Sequence, residues 1–139
     1  MLASTMDEKT AVVAAIPMFA TLEPRSLEAV ATLARIVTVP AGTVLVREGE
    51  PAASFYVIVS GTVHIERLDR FVRSMTNGGF LGEVALVEGT KRTATAICTT
   101  PCELLEFGSF EFGRIMTTFP DVRARVDAAV ARRPHTEAM

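Results

Sequence analysis

A chain of 139 residues bounds the problem to one domain that can bury a sizeable core. Its net charge of −2 gives no electrostatic footprint for nucleic acid, and no apolar run reaches the ~18 residues of a membrane helix. The start, Met1 to Glu8, lacks the basic region and apolar stretch of a secretion signal, so the cytoplasm is the expected compartment.

In chain order, Val12, Val13 and Ile16 predict a first helix ending at Pro17. A second begins near Pro24, a good first-turn residue, with Thr21 or Glu23 as its cap. Leu27, Val30, Ala31 and Ala34 form its i, i+3, i+4, i+7 apolar stripe. From Ile36 the period changes to two, predicting strands over 36–39, 44–47, 55–59, 62–66, 71–75, 92–98 and 103–107, with turn residues between them. Two helices follow, 110–118 and 121–133, split by Phe119-Pro120. The fold class is therefore mainly β with flanking helices, an antiparallel β-roll of jelly-roll type. Its parts are an N-terminal helical segment (1–35), the roll (36–107) and C-terminal helices (108–139), all one domain.

Cys98 and Cys102 bracket the turn Thr99-Thr100-Pro101 and can either bridge a hairpin or stay reduced. A cytosolic chain favours reduced, structural thiols. The histidines, His64 and His135, lie far apart in sequence, which argues against a metal-dependent barrel enzyme. No nucleophile–base pair stands out, so a non-catalytic role without metal or cofactor is expected. Only residues 134–139 follow the last helix, too few for a helix-turn-helix.

The chemistry concentrates in Gly78-Gly79-Phe80-Leu81-Gly82-Glu83-Val84-Ala85-Leu86, followed by Arg92-Thr93-Ala94-Thr95. Glycines let the backbone approach a ligand closely. A short helix then starts at Glu83, and its first N–H groups are free for an anion. Arg92 supplies a planar, permanently charged fork suited to phosphate oxygens. Glu83 cannot favour a phosphate, so a neutral hydroxyl donor is its natural partner, and a ribose 2′-OH fits. One phosphate plus one ribose hydroxyl describes a 3′,5′-cyclic nucleotide.

These residues resemble the phosphate-binding cassette (78–95) of the cyclic-nucleotide-binding domain family, whose members include the catabolite activator protein, kinase regulatory subunits and nucleotide-gated channels. Gly82, Glu83, Val84, Ala85, Leu86, Arg92, Thr93 and Ala94 match its Gly-Glu-aliphatic-Ala-Leu and Arg-small-Ala pattern. The nine-residue offset from Glu83 to Arg92 is that of the kinase and channel branches. Lys91 stands where many relatives have proline, and Leu81 where they often have an aromatic. The resemblance spans roughly residues 16–119.

It implies a ligand site built from Phe80, Leu81, Gly82, Glu83, Val84, Ala85, Arg92, Thr93 and Ala94. Cyclic AMP is favoured, while the Thr93 hydroxyl is compatible with cyclic GMP. The last helix is implied to fold over the base as a lid, with Arg125, Val126, Val130 and Arg132 as candidate contacts. Leu86 is the relay, acting on Phe110, Phe112 and Ile115. Phe71, Arg73 and Met75 share a face at period two, so either Arg73 meets the base, or a bulge reverses the strand and Val72 does. Val63 and Ile65 are wall or ordinary core. The implied partners are a cyclic nucleotide and a protein effector, with the last helix available for a homodimer. The rival is an interaction module that has lost its ligand; an intact Glu83 and Arg92 oppose it, because an unpaired buried arginine is costly.

Overall fold

The computed structural model describes residues 4–132. It begins with α1 (Ser4–Ala14) and α2 (Pro24–Leu33), which close over one face of a β-roll. α1 stops at Ala14, and Ile16 sits in the turns that follow rather than in the helix. Glu23 occupies the N-cap of α2 without a side-chain capping bond, so Pro24 alone sets that start.

Eight strands follow: β1 (Arg35–Val39), β2 (Val44–Val46), β3 (Ser54–Ser60), β4 (Val63–Arg67), β5 (Arg70–Met75), β6 (Phe80–Leu81), β7 (Thr95–Cys98) and β8 (Cys102–Gly108). The short helix α3 (Glu83–Glu88) separates β6 from β7, and α4 (Ser109–Thr118) and α5 (Pro120–Arg132) complete the order. The strands form two four-stranded antiparallel sheets, ordered β1-β8-β3-β6 and β2-β7-β4-β5.

β3 and β8, at the centre of the first sheet, bury apolar residues on both faces, while β1 at its edge is largely exposed. Phe55, Val57, Leu105 and Phe107 point outward, into a core shared with Val13, Phe19, Val30, Ile115 and Val126 of the helices. Ile58 and Leu104 point inward, to the roll interior with Val63, Ile65, Leu81 and Ala96. Phe55 sits against Phe107, Phe80 and Phe112 at centroid distances of 5.9, 5.8 and 4.8 Å. Each such fully buried side chain contributes about 1.5–3 kcal/mol relative to exposure.

Three features depart from the period-two reading. β6 is a two-residue strand, too short to show alternation, held to β3 by Tyr56↔Leu81 and Val57↔Phe80. The run expected as one strand from Arg92 is irregular until Thr95. In β5 a bulge sets Ile65 opposite Arg73 but Glu66 opposite Phe71, leaving Val72 as the extra residue. Phe71 therefore does not share a face with Arg73 and Met75. It lies 61% exposed, its ring 4.9 Å from that of His64.

Cys98 and Cys102 are free thiols, both buried. Burial, reinforced by the neighbouring Cys102, pushes the Cys98 thiol up to about 12, so it is not an active nucleophile near neutral pH.

Candidate functional site

Gly82 is the keystone of the cassette. It caps α3 with φ 98°, a left-handed conformation that disfavours any side chain. A Cβ there would also lie 2.8 Å from the Ser54 carbonyl oxygen and 2.9 Å from Arg92 Nη1. Glycine is required twice over, by the turn and by the approach of the arginine.

Arg92 belongs to no strand, yet its backbone is fixed. Its N–H donates to the Glu50 carbonyl at 2.9 Å, and its own carbonyl accepts from Gly49 N–H at 2.8 Å. Beside it, Pro51 and Lys91 form an isolated bridge. The loop between β2 and β3 thus does the work of a partner strand.

The Arg92 side chain turns inward and is 4% exposed. Nη1 donates to the Gly82 carbonyl at 3.1 Å and Nη2 to the Ser54 carbonyl at 2.6 Å. Two of its five N–H donors are committed in this way, and the rest suit an anion. Burial lowers its pKa from the usual value, while Tyr56 and Glu83 pull it back up; an arginine so placed still carries its charge at neutral pH. Glu83, fully buried in the first turn of α3, is close enough to Arg92 for that attraction. The N–H groups of Val84 and Ala85, both buried, belong to the first turn and precede the first intrahelical donor, Leu86 N–H to Gly82 O at 3.4 Å.

The remaining expected residues divide. Leu81 and Ala94 are fully buried in the roll interior, and Phe80 packs against the helical core. Thr93 Oγ1 is buried with no hydrogen-bond partner among the described residues. The β5 bulge puts Arg73 in register with the buried Ile65, its Nε and Nη2 atoms buried, while Val72 packs on the same interior. The bulge thus brings Val72 and Arg73 to the same side of the strand. Val63 is buried with Ile58, Met75 and Leu81 in the roll interior. A cavity of about 130 Å³ does adjoin Arg92, but Ser54, Tyr56, Val46, Glu50 and Pro51 line it, not the expected base contacts.

Of the candidate lid residues, Arg125, Val126 and Val130 are engaged with the rest of the chain. Val126 is fully buried in the helical core and Val130 packs against it. Arg125 donates to the Met18 carbonyl at 2.8 Å and to Thr21 Oγ1 at 2.7 Å, tying α5 to the N-terminal segment. The apolar stripe of α5 thus joins the core that the helices share with the outer face of the first sheet. Arg132, exposed, ends α5. Leu86 shares a groove with Phe112, Met116, Arg123 and Asp127, whereas Phe110 is 68% exposed beneath Arg114.

Sequence reasoning missed a polar cluster behind Arg92. The Glu106 carboxylate accepts from Arg35 Nη2 at 2.5 Å on Oε1, and from Ser54 Oγ at 3.0 Å and Tyr56 OH at 3.3 Å on Oε2. The signal was available: Cys102, Leu104 and Glu106 alternate, which places a carboxylate on an inward strand face. Burial would raise the Glu106 pKa, but the bonds from Arg35, Ser54 and Tyr56 hold it below the ordinary 4.5. A folded-state pKa below the unfolded one contributes stability above the unfolded value and loses it as pH falls through the folded value. Urea melts between about pH 3 and pH 7 should therefore show wild type losing its advantage over Glu106→Gln below ~4.5. An advantage independent of pH would contradict the assignment.

Among the described residues no group of three His, Cys, Asp or Glu could hold a metal ion, and no helix is long and apolar enough to cross a membrane. The chain is 34% identical over 110 residues to a cyclic nucleotide-gated potassium channel of Mesorhizobium japonicum, covering 79% of this chain and 30% of that protein. It is 32% identical over 100 residues to the cAMP-activated global transcriptional regulator of Escherichia coli, covering 68% of this chain and 48% of the regulator. A cAMP-binding acyltransferase from Mycobacterium smegmatis superposes with a TM-score of 0.73 at 29% identity, covering 91% of this chain and 40% of that one. The chain thus spans about a third of the length of the first curated relatives it matches. The model of the cyclic nucleotide-binding domain matches residues 36–119, and with the Gly82–Arg92 geometry inside that span, the chain belongs to the cyclic nucleotide-binding domain family.

Proposed function

We propose that this protein is a non-catalytic cyclic-nucleotide sensor, with cyclic AMP favoured over cyclic GMP, acting in the cytoplasm on a protein effector. The observation that carries this reading is the inward guanidinium of Arg92, hydrogen-bonded to the cap of α3 with Glu83 buried beside it. The phosphate takes the remaining donors of Arg92 and the N–H groups of Val84 and Ala85, and Glu83 accepts from the ribose 2′-OH. Tightening of the cassette moves Leu86 against Phe112 and Met116, and α5 follows. The size of that shift is limited by the ligand's differential affinity for the two arrangements. The names of the Escherichia coli and Mycobacterium smegmatis relatives support cyclic AMP.

Calorimetric titration with cyclic AMP and cyclic GMP side by side tests this. Saturable binding of both, tighter for cyclic AMP, is expected; no binding of either contradicts it.

One observation favours the second reading, an interaction module without a ligand. The bonds from Arg92 to the Gly82 and Ser54 carbonyls occupy two of its donors without an anion. The cost of an unpaired arginine therefore weighs less against that reading, and the titration decides between them.

A further inference from the structure

The cluster at the end of the roll gives Arg92 a brace. Ser54 is the junction. Its carbonyl accepts from Arg92 Nη2 at 2.6 Å, and its hydroxyl donates to Glu106 Oε2 at 3.0 Å. Ser54 is also the first residue of β3, paired with Gly108 at the last rung of the β3–β8 ladder. The backbone bond from Ser109 N–H to the Ala53 carbonyl at 3.1 Å continues the pairing just beyond it, so the carbonyl that aims the arginine sits near the open end of the ladder.

Glu106 supplies what the ladder lacks. It lies two residues inside β8, opposite Tyr56 on one side and Arg35 on the other. Both its oxygens are engaged, Oε2 by Ser54 and Tyr56, Oε1 by Arg35. The carboxylate is 18% exposed and the arginine 75%, so the row runs from the surface to the buried fork. Arg35 also neutralises a carboxylate whose charge would otherwise oppose an anion bound at Arg92. An apolar residue at 106 would fill the space but could not hold the Ser54 hydroxyl.

We propose that Glu106, held by Arg35, is the positioning residue that sets the aim of the Arg92 guanidinium through Ser54, and thereby its affinity for the nucleotide phosphate. This rests on the phosphate-binding reading of Arg92. Glu106 acts on Arg92 through Ser54, whose hydroxyl it accepts from and whose carbonyl holds the fork. The row begins at the first residue of β1, directly after α2, where Lys9 of α1 donates to the Ala34 carbonyl at 2.8 Å. The seating of the N-terminal helices thus reaches the phosphate site by a chain of named hydrogen bonds.

Two measurements on the full chain test the brace. The first is the rotation of the Arg92 guanidinium by NMR in the protein without nucleotide. It should be slow in wild type and Glu106→Gln, whose amide oxygen still accepts from Ser54, and fast in Glu106→Ala. The second is calorimetric titration with cyclic AMP. Glu106→Ala should weaken binding about tenfold, and Glu106→Gln should stay within about threefold of wild type, the scale of one net hydrogen bond. Slow rotation in folded Glu106→Ala, or wild-type affinity in that variant, overturns the brace. If wild type binds no cyclic nucleotide while the rotation follows the pattern, the reading of the ligand fails and the brace on Arg92 stands.

Discussion

Arg92→Ala weakens cyclic AMP binding by about 2–5 kcal/mol, the scale for truncating one partner of a desolvated, hydrogen-bonded charge pair. The reasoning is geometric. The guanidinium is almost wholly buried, and its fork reaches two carbonyls from different elements, Gly82 at the cap of α3 and Ser54 at the start of β3. An alanine leaves the phosphate only backbone N–H groups and leaves both carbonyls without this donor. Arg92→Lys keeps the charge but not the two-pronged fork, so its affinity should fall between wild type and alanine. Titration calorimetry reads binding, and a urea melt of each variant separates it from folding. Wild-type affinity for a folded Arg92→Ala would remove the arginine from the site.

Gly82→Ala has the second large effect, and it combines stability with binding. The left-handed backbone at φ 98° costs an L-residue about 1–2 kcal/mol. The new Cβ meets the backbone of Ser54 at 2.8 Å, which cannot swing aside, and Arg92 Nη1 at 2.9 Å, which can. The arginine therefore yields. A loss of about 1–3 kcal/mol in stability is expected, together with weaker cyclic AMP binding, because the guanidinium loses its place beside the α3 cap. Gly89→Ala is the control. Gly89 also has positive φ, at 68°, but its Cβ would meet nothing within 4 Å. It should lose stability and keep affinity. Equal affinity in both variants would show that the close approach at Gly82 is not what positions Arg92.

The fold was legible in the sequence to the degree that burial was one-sided. β4 alternates cleanly, and its Val63 and Ile65 point inward as the period requires. α2 showed its stripe and its Pro24 start. β6 was invisible because two residues carry no period, and its identity comes from β3 across the sheet. The irregular run after Arg92 looked like strand because Thr93 and Thr95 are β-branched, whereas its backbone partners are in the 49–51 loop. The bulge at Val72 could be offered only as one of two alternatives, since bulges arise from pairing between strands.

For the site, the arrangement of Gly82, Glu83 and Arg92 around the start of α3 was legible because these residues are close in sequence and their types are chemically constrained. The packing of α5 was not. The stripe of Val122, Val126 and Ala129 declares that α5 packs, but not on what; Val122 and Val126 enter a core that combines the N-terminal segment, the first sheet and α4. The brace went unseen for a similar reason. Arg35, Ser54 and Glu106 are separated by 19 to 71 residues in sequence and meet only through the β1-β8-β3 order of the sheet.

The most direct test is a crystal structure of the protein grown with saturating cyclic AMP. Phosphate oxygens on the Arg92 guanidinium and on the N–H groups of Val84 and Ala85, with the ribose 2′-OH on Glu83, are predicted. Cyclic AMP bound elsewhere, with Arg92 still held only by Gly82 and Ser54, would contradict the account.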